Sequence, residues 1–270
     1  VSKRPVNEDV VLYEFHTPGV ALLTLNRPDR LNAWNGELAV RYFNLLDQAA
    51  NDPDVKVIVI TGAGRGFCSG ADMDALSAIR ERPGSAPDAM ARRGPHEAVL
   101  IPKPVIAAVN GACAGIGLVI ALMCDIRFAA SNAKFTTAFS RRGLVAEYGI
   151  SWILPRLVGM ANALDLLYSG RVILGEEAER MGLVNESMAP ELVVEHALAY
   201  ATELATLASP TSMAVMKRQV YADWDRGLEE ATATAVELMN ASLRRPDLKE
   251  GVASYMQKRS PHFGPIDPSA

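Results

Sequence analysis

Cysteine is scarce in this chain: Cys68, Cys113 and Cys124 are the only three in 270 residues. They form neither an even set nor a Cys-x-x-Cys pair, which argues against a disulfide framework and a zinc cluster and makes a reducing, cytosolic compartment the expectation. An excess of positive charge is missing too. The 27 Lys and Arg are outnumbered by 31 Asp and Glu, for a net charge of −4. That gives no electrostatic footprint for nucleic acid and confines any phosphate recognition to a local patch. Long hydrophobic runs are also absent. The longest, around Ile116 to Cys124, ends at Asp125 and is too short to span a bilayer. Val1 to Val10 holds Pro5, Asn7, Glu8 and Asp9 where a secretory leader needs an apolar core, so no such signal is expected there.

The chain does have enough apolar material, 49% of residues, to bury a substantial core in one large domain, or in one domain with an appendage. Val10 to Phe15 and Val20 to Leu25 are β-prone runs around a Thr17-Pro18-Gly19 turn. Glu37 to Ala50 places apolar residues at helical spacing and stops at Asn51-Asp52-Pro53. Val55 to Thr61 and Pro104 to Val109 read as strands buried on both faces, each followed by glycine-rich punctuation and a helix start. Arg80 to Pro95, mixing Arg, Pro, Gly, Ser and Asp, reads as irregular. After Ile150 strand signals fade, and helices are expected over 161–168, 191–207, 211–221, 228–243 and 248–258. Repetition of strand, loop and helix suits a spiral of ββα units, and it also suits a doubly wound sheet.

Two glycine loops carry the chemistry. Ser69-Gly70-Ala71-Asp72 follows one strand, and Asn110-Gly111-Ala112-Cys113-Ala114-Gly115-Ile116-Gly117 follows the next. Glycine lets a ligand approach the backbone closely, and backbone N–H groups in such loops can stabilise an oxyanion without any titratable side chain. The nucleotide fingerprints are lacking: Gly62-Ala63-Gly64-Arg65-Gly66 is out of register for G-x-G-x-x-G, and no Gly-Lys-Ser/Thr follows a glycine loop.

Six motifs run in order along nearly the whole chain. They are Leu25-Asn26-Arg27-Pro28 with Leu31-Asn32-Ala33, Gly66-Phe67-Cys68-Ser69-Gly70-Ala71-Asp72, and Pro104-Val105-Ile106-Ala107-Ala108-Val109-Asn110-Gly111. Gly115-Ile116-Gly117, Cys124-Asp125-Ile126-Arg127 and Leu154-Pro155-Arg156-Leu157-Val158-Gly159 complete the set. In these motifs the chain resembles the crotonase superfamily of enoyl-CoA hydratases and isomerases. The resemblance implies an α/β fold, a crotonase-like spiral of ββα repeats over 1–205, with a C-terminal helical trimerisation region over 206–270. It also implies an acyl-CoA substrate, no permanently bound cofactor beyond the CoA of that substrate, no metal, and a homotrimer or a dimer of trimers.

Carried over residue by residue, the resemblance places the oxyanion hole at the N–H groups of Ala71 and Ile116. It assigns CoA binding to Arg27, Arg30, Ala33, Gly70, Ala71 and Lys258. The two positions where hydratases of this kind carry their paired glutamates hold Val119 and Phe139, neither of which can transfer a proton. Eight residues beyond Phe139 stands Glu147, where members resembling dienoyl-CoA isomerases and 4-chlorobenzoyl-CoA dehalogenases carry an acid. A single carboxylate can take a proton from one carbon and return it to another, so a double-bond shift suits the residues better than addition of water. A dehalogenase-like route needs a histidine base near the carboxylate, and His16, His96, His196 and His262 are scattered, with His96 and Glu97 bordering the loop that covers the acyl pocket in similar proteins.

Partial burial between Ala146 and Ile150 is expected to raise the pKa of Glu147, whereas ion pairing with Arg141 or Arg142 would lower it. Asp72 is expected to satisfy backbone donors at a helix start, and Phe139, Trp152 and Met160 are candidate pocket residues. Two other functions stand against isomerisation: a catalytically weak acyl-CoA-binding or scaffold homologue, and an ordinary hydratase using non-standard residues. The RNA-binding branch of the superfamily needs a lysine-rich helix, and Leu38 to Ala50 holds only Arg41.

Overall fold

Val57 to Gly62 is buried at every position, which a strand achieves only inside a sheet that is covered on both faces. In the computed structural model, which describes residues 9–74, 77 and 93–267, this strand (β3) lies within a six-stranded sheet. Strands β1 (Val11–His16) and β2 (Val20–Leu25) pair as an antiparallel hairpin, and β5 (Val105–Val109), β7 (Ile126–Ala130) and β10 (Glu186–Met188) extend the sheet in parallel in the order β1-β2-β3-β5-β7-β10. A smaller sheet has the order β4-β6-β8-β9, made of Gly66–Cys68 (β4), Ala112–Ala114 (β6), Lys134–Thr136 (β8) and Ile173–Leu174 (β9). The pairs β3/β4, β5/β6 and β7/β8 each send their first strand to the large sheet and their second to the small one, whereas β1 and β2 both join the large sheet. This is the ββα spiral.

The helices follow from their apolar stripes. Helix α1 (Gly36–Asn51) is capped by the Asn35 side chain, which accepts from the Leu38 N–H, and packs Leu38, Phe43, Leu45 and Leu46 inward. After α2 (Glu97–Leu100), helix α3 (Ile116–Leu122) is buried throughout. Helices α4 (Ile150–Val158), α5 (Met160–Ser169) and α6 (Gly175–Arg180) lead to α7 (Val193–Leu207), which lays Ala197, Ala201 and Ala205 against β3, β5 and β7. Alanine every fourth residue lets that helix sit close to the sheet. Helix α8 (Pro210–Asp223) still touches the core, whereas α9 (Leu228–Ser242) has no buried residue and α10 (Pro246–Gln257) has only Ser254.

The region after Ile150 is not purely helical. Strands β9 and β10 interrupt it, and β10 adds an edge to the large sheet through Glu186 opposite Phe128 and Met188 opposite Ala130. Two- and three-residue strands with polar members carry no periodicity of their own, and their pairing partners are far away in the chain. The same reason hides β4 and β6 within stretches that read as glycine loops, and leaves β8 without a signal. Of the segment expected to be irregular, residues 80–92 lie outside the described residues, as do residues 1–8 of the N-terminal stretch.

Candidate active site

Two asparagine side chains, Asn32 buried and Asn110 partly buried, hold the loops in place. Asn32 Oδ1 accepts from the Arg27 N–H at 2.8 Å, and its Nδ2 donates to the carbonyls of Ala63 at 3.0 Å and Gly66 at 2.7 Å. Asn110 does the same between β3 and the following turn, accepting from the Gly62 N–H and donating to the carbonyls of Gly62 and Gly64. Each amide answers backbone groups that a turn leaves unpaired, which is why a buried Asn is stable there.

The first loop is tied to the entry of α1 by a lone parallel bridge between Trp34 and Ala71. The Trp34 N–H donates to the Gly70 carbonyl and the Asp72 N–H donates to the Trp34 carbonyl, both at 2.8 Å. In that arrangement the residues on either side of Ala71 supply the bonds, so Ala71's own N–H is turned away from Trp34. Ile116 is the first residue of α3, and the first N–H to bond within that helix is Val119's, to the Gly115 carbonyl at 3.1 Å. The Ile116 N–H is therefore one of the donors a helix start leaves open. Gly115, at φ 51° and ψ −122°, adopts a backbone that side chains rarely tolerate, and a Cβ on Gly117 would lie 2.2 Å from the Cys68 carbonyl oxygen. The bare helix start thus sits directly on β4, next to the first loop.

Between the loops is a cavity of about 270 Å³. Gly70, Ala71, Gly115 and Ile116 line it, together with Thr137, Phe139 and the segment that carries Arg142, Leu144, Glu147 and Tyr148. Larger hollows exist: neither glycine loop reaches the one of about 650 Å³ between α8 and α10, and the one of about 720 Å³ meets only the start of the second loop, Asn110 to Ala112. Glu147 is half-buried, and burial raises its pKa above the ordinary carboxylate value. The alternative of ion pairing with its basic neighbours does not occur. Arg141 donates to the Ser169 carbonyl at 2.7 Å and Arg142 to the Ala138 carbonyl at 3.2 Å. Nor does the Glu147 side chain cap α4, whose N-cap is Gly149. Ala138 and Tyr148, both at this wall, have positive φ of 56° and 49°. Backbone of this kind concentrates at functional sites.

The remaining expected residues are placed as follows. Phe139 is on the cavity wall, whereas Val119 is fully buried in α3 and does not line the cavity. Arg27 donates to the Ala33 carbonyl and to Asp72, while Arg30 is exposed beside Asp74. Lys258 is exposed at the C-cap of α10. Asp72 accepts from the Asp74 N–H at 3.1 Å, as expected of a helix start, but its main partner is Arg27, so it also ties two segments together. Two candidate pocket residues lie elsewhere: Trp152 packs with Trp224 and Arg156, and Met160 is exposed. Glu97 is paired with Arg93. Asn32, Asn110 and Tyr148 were not singled out by sequence reasoning as working residues. The only signal for Tyr148 is its place between Glu147 and Gly149, which is too common a pattern to mark a site.

Among the described residues no three His, Cys, Asp or Glu side chains are grouped to hold a metal ion, and no helix is long and apolar enough to cross a membrane. The family model for enoyl-CoA hydratase/isomerase matches residues 16–265. A relative from Escherichia coli strain K12, 1,2-epoxyphenylacetyl-CoA isomerase, is 36% identical over 91% of this chain and 95% of its own. The crystal structure of an enoyl-CoA hydratase from Mycobacterium marinum is 53% identical over 81% of this chain and all of its own, with a TM-score of 0.70. That of an enoyl-CoA hydratase from Polaromonas sp. JS666 is 32% identical over 94% and 99%, with a TM-score of 0.85. With its two glycine loops, its ββα spiral and these relatives along almost its full length, the chain belongs to the enoyl-CoA hydratase/isomerase family of the crotonase superfamily.

Proposed function

We propose that the protein shifts a double bond in an enoyl-CoA ester, using Glu147 as its one proton carrier and the N–H groups of Ala71 and Ile116 as its oxyanion hole. The observation that carries this reading is the position of Glu147: a half-buried carboxyl with a raised pKa on the wall of the cavity that both loops line. Glu147 takes a proton from C2 of a 3-enoyl thioester, and the electron pair delocalises onto the thioester oxygen. Two backbone donors hold that oxygen, each contributing on the order of 3 kcal/mol to the barrier reduction. The same carboxyl group returns the proton at C4 and leaves a 2-enoyl thioester, so nothing is gained or lost overall. Water addition calls for a second proton-transfer group, and Val119 and Phe139 offer none at the usual positions. The reaction in the name of the E. coli relative is likewise an isomerisation of an acyl-CoA.

In this reading CoA lies along the first loop, against Gly70 and Ala71. Arg30 and Lys258, both exposed, supply cations for its phosphates, while Arg27 and Ala33 shape the rim. Residues 206–270 form the assembly region of a homotrimer or a dimer of trimers, an arrangement supported by Leu228, Tyr255 and Met256, which are 85%, 83% and 75% exposed on α9 and α10. Three buried, unpaired cysteines suit a cytosolic setting.

The test is turnover of 2-enoyl, 3-enoyl and dienoyl CoA esters by the native protein and by Glu147→Gln. The native protein is expected to interconvert 2- and 3-enoyl esters, and the variant to lose roughly 10²- to 10⁴-fold while still binding them. Unchanged turnover in the variant removes Glu147 from the mechanism, and hydration without isomerisation overturns the proposed reaction. Tight binding of every ester without any reaction establishes the scaffold reading instead.

A further inference from the structure

Arg142 has no role in the chemistry above, yet it lies on the wall of the reaction cavity. Its place there is built. The tight turn that follows Phe139 is closed by the N–H groups of Arg142 and Leu144, which both donate to the Phe139 carbonyl, at 2.9 and 3.0 Å. The guanidinium rests on the carbonyl of Ala138, itself a cavity residue held at positive φ. That single bond leaves most of the donor fork open.

Three other arginines are held by carboxylates. Arg27 is paired with Asp72, Arg93 with Asp47 and Glu97, and Arg171 with Asp165 and Glu177. Arg141 donates away from the cavity, to Ser169. Arg142 forms no ion pair among the described residues, although a carboxylate, Glu147, stands on the same wall. Burial alone acts on the proton affinity of Glu147, with no compensation from an arginine. The two charged groups thus stand unpaired on one wall, Arg142 at its exposed edge, in a small cavity that mixes apolar Ile116, Phe139 and Leu144 with the hydroxyl side chains of Ser69, Thr137 and Tyr148. An all-carbon acyl chain gains nothing from an open guanidinium and strips water from it. A carboxylate matches its fork with two parallel hydrogen bonds.

We infer that the cavity takes short acyl-CoA esters whose acyl chain ends in a carboxylate, and that Arg142 binds that carboxylate while the thioester lies at Ala71 and Ile116. This rests on the acyl-CoA reading above but not on the direction of proton transfer. The anion that meets Arg142 has one competing source, the phosphates of CoA itself.

The experiment compares the CoA monothioester of an unsaturated dicarboxylic acid with its neutral methyl ester, in the native protein, Arg142→Met, Arg142→Lys and the control Arg141→Met. Turnover is read as kcat/KM, and binding by calorimetry with the saturated, unreactive pair. The native protein is expected to favour the carboxylate roughly 10- to 100-fold, chiefly through KM, as suits hydrogen bonds to a charged group. Arg142→Met is expected to abolish that ratio, Arg142→Lys to keep part of it, and Arg141→Met to leave it unchanged. Repeating the series with dephospho-CoA and pantetheine thioesters separates the two anions. If the effect of Arg142→Met disappears with the phosphates, Arg142 serves CoA and the inference is overturned. Equal handling of both esters by the native protein overturns it as well, with the acyl-CoA reading intact. If neither ester binds, both readings fall. Should Arg142→Met not fold, the native ratio and Arg142→Lys still decide.

Discussion

Arg27 Nη2 lies 2.9 Å from Asp72 Oδ2, with the two side chains only 17% and 9% exposed. The pair fastens the loop that carries Ala71 to the segment ahead of α1. Burial pushes the Asp72 carboxyl up, but the Arg27 guanidinium and the Asp74 N–H outweigh it and hold the pKa below its ordinary value of 3.8. A depressed carboxylate contributes stability above its unfolded pKa and loses it as the pH falls through the folded one, so this tie weakens only below about pH 4. Arg27→Met is expected to lower stability by about 3 kcal/mol and to reduce kcat as well as raise KM, because Ala71 moves with its loop. Urea titration and steady-state kinetics check this. A change confined to KM makes Arg27 a CoA ligand alone.

The pH profile should report Glu147. As a base it works ionised, and burial holds its pKa above 4.5, so kcat/KM is expected to climb with pH along a limb centred above that value. The sign for stability is the reverse. A raised carboxyl favours the folded state fully below 4.5 and loses that contribution as the pH rises through its folded pKa. Glu147→Gln should abolish both dependences, and an unchanged acid limb in residual activity would assign it to another group.

The two lost glutamate positions should behave differently when substituted. Val119 is fully buried in α3, so Val119→Glu puts a carboxylate where nothing pairs with it and should cost roughly 3–5 kcal/mol, seen as a fall in the urea midpoint. Phe139 stands on the cavity wall, so Phe139→Ala should shift preference toward bulkier acyl groups by roughly tenfold or more in kcat/KM. If both variants are merely destabilised, Phe139 does not shape the acyl site.

Lys217 fastens α8 to the sheet. Its Nζ lies 2.8 Å from Asp125 Oδ2 and also donates to the carbonyls of Ala98 and Lys103, while the Tyr221 hydroxyl donates to Asp125 Oδ1 at 3.2 Å. Lys217 is 8% exposed, so Lys217→Met leaves a largely buried carboxylate without its cation and should cost about 3 kcal/mol. Thermal melting of the native protein and the variant measures it. Loss of under about 0.5 kcal/mol would show that Val105 N–H and Tyr221 satisfy Asp125 by themselves.

Much of the fold was legible in the chain. Continuous β-branched runs such as Val57 to Thr61 need cover on both faces wherever they lie, and an amphipathic stripe such as that of α1 needs one. Strands as short as Ile173–Leu174 were not legible, since they exist only because Phe135 and Lys134 lie opposite. Within the site, Ala71, Ile116, Phe139 and Glu147 could be named beforehand through motif register, and the fold brings all four to one cavity. The same register gave no hint that Val119 turns into the core.

What the sequence by itself determined is the order of strand, glycine loop and helix, the glycines that backbone geometry demands, and the lack of a glutamate at either usual position. These are properties of neighbouring residues, set by sterics and by which groups can carry a proton. Only the tertiary structure decided which charges meet. Arg27 reaches Asp72 across 45 residues, Arg142 does not reach Glu147 five residues away, and burial without a cation raises the pKa of the Glu147 carboxyl. Distance along the chain says little about distance through space, and electrostatics depends on the second.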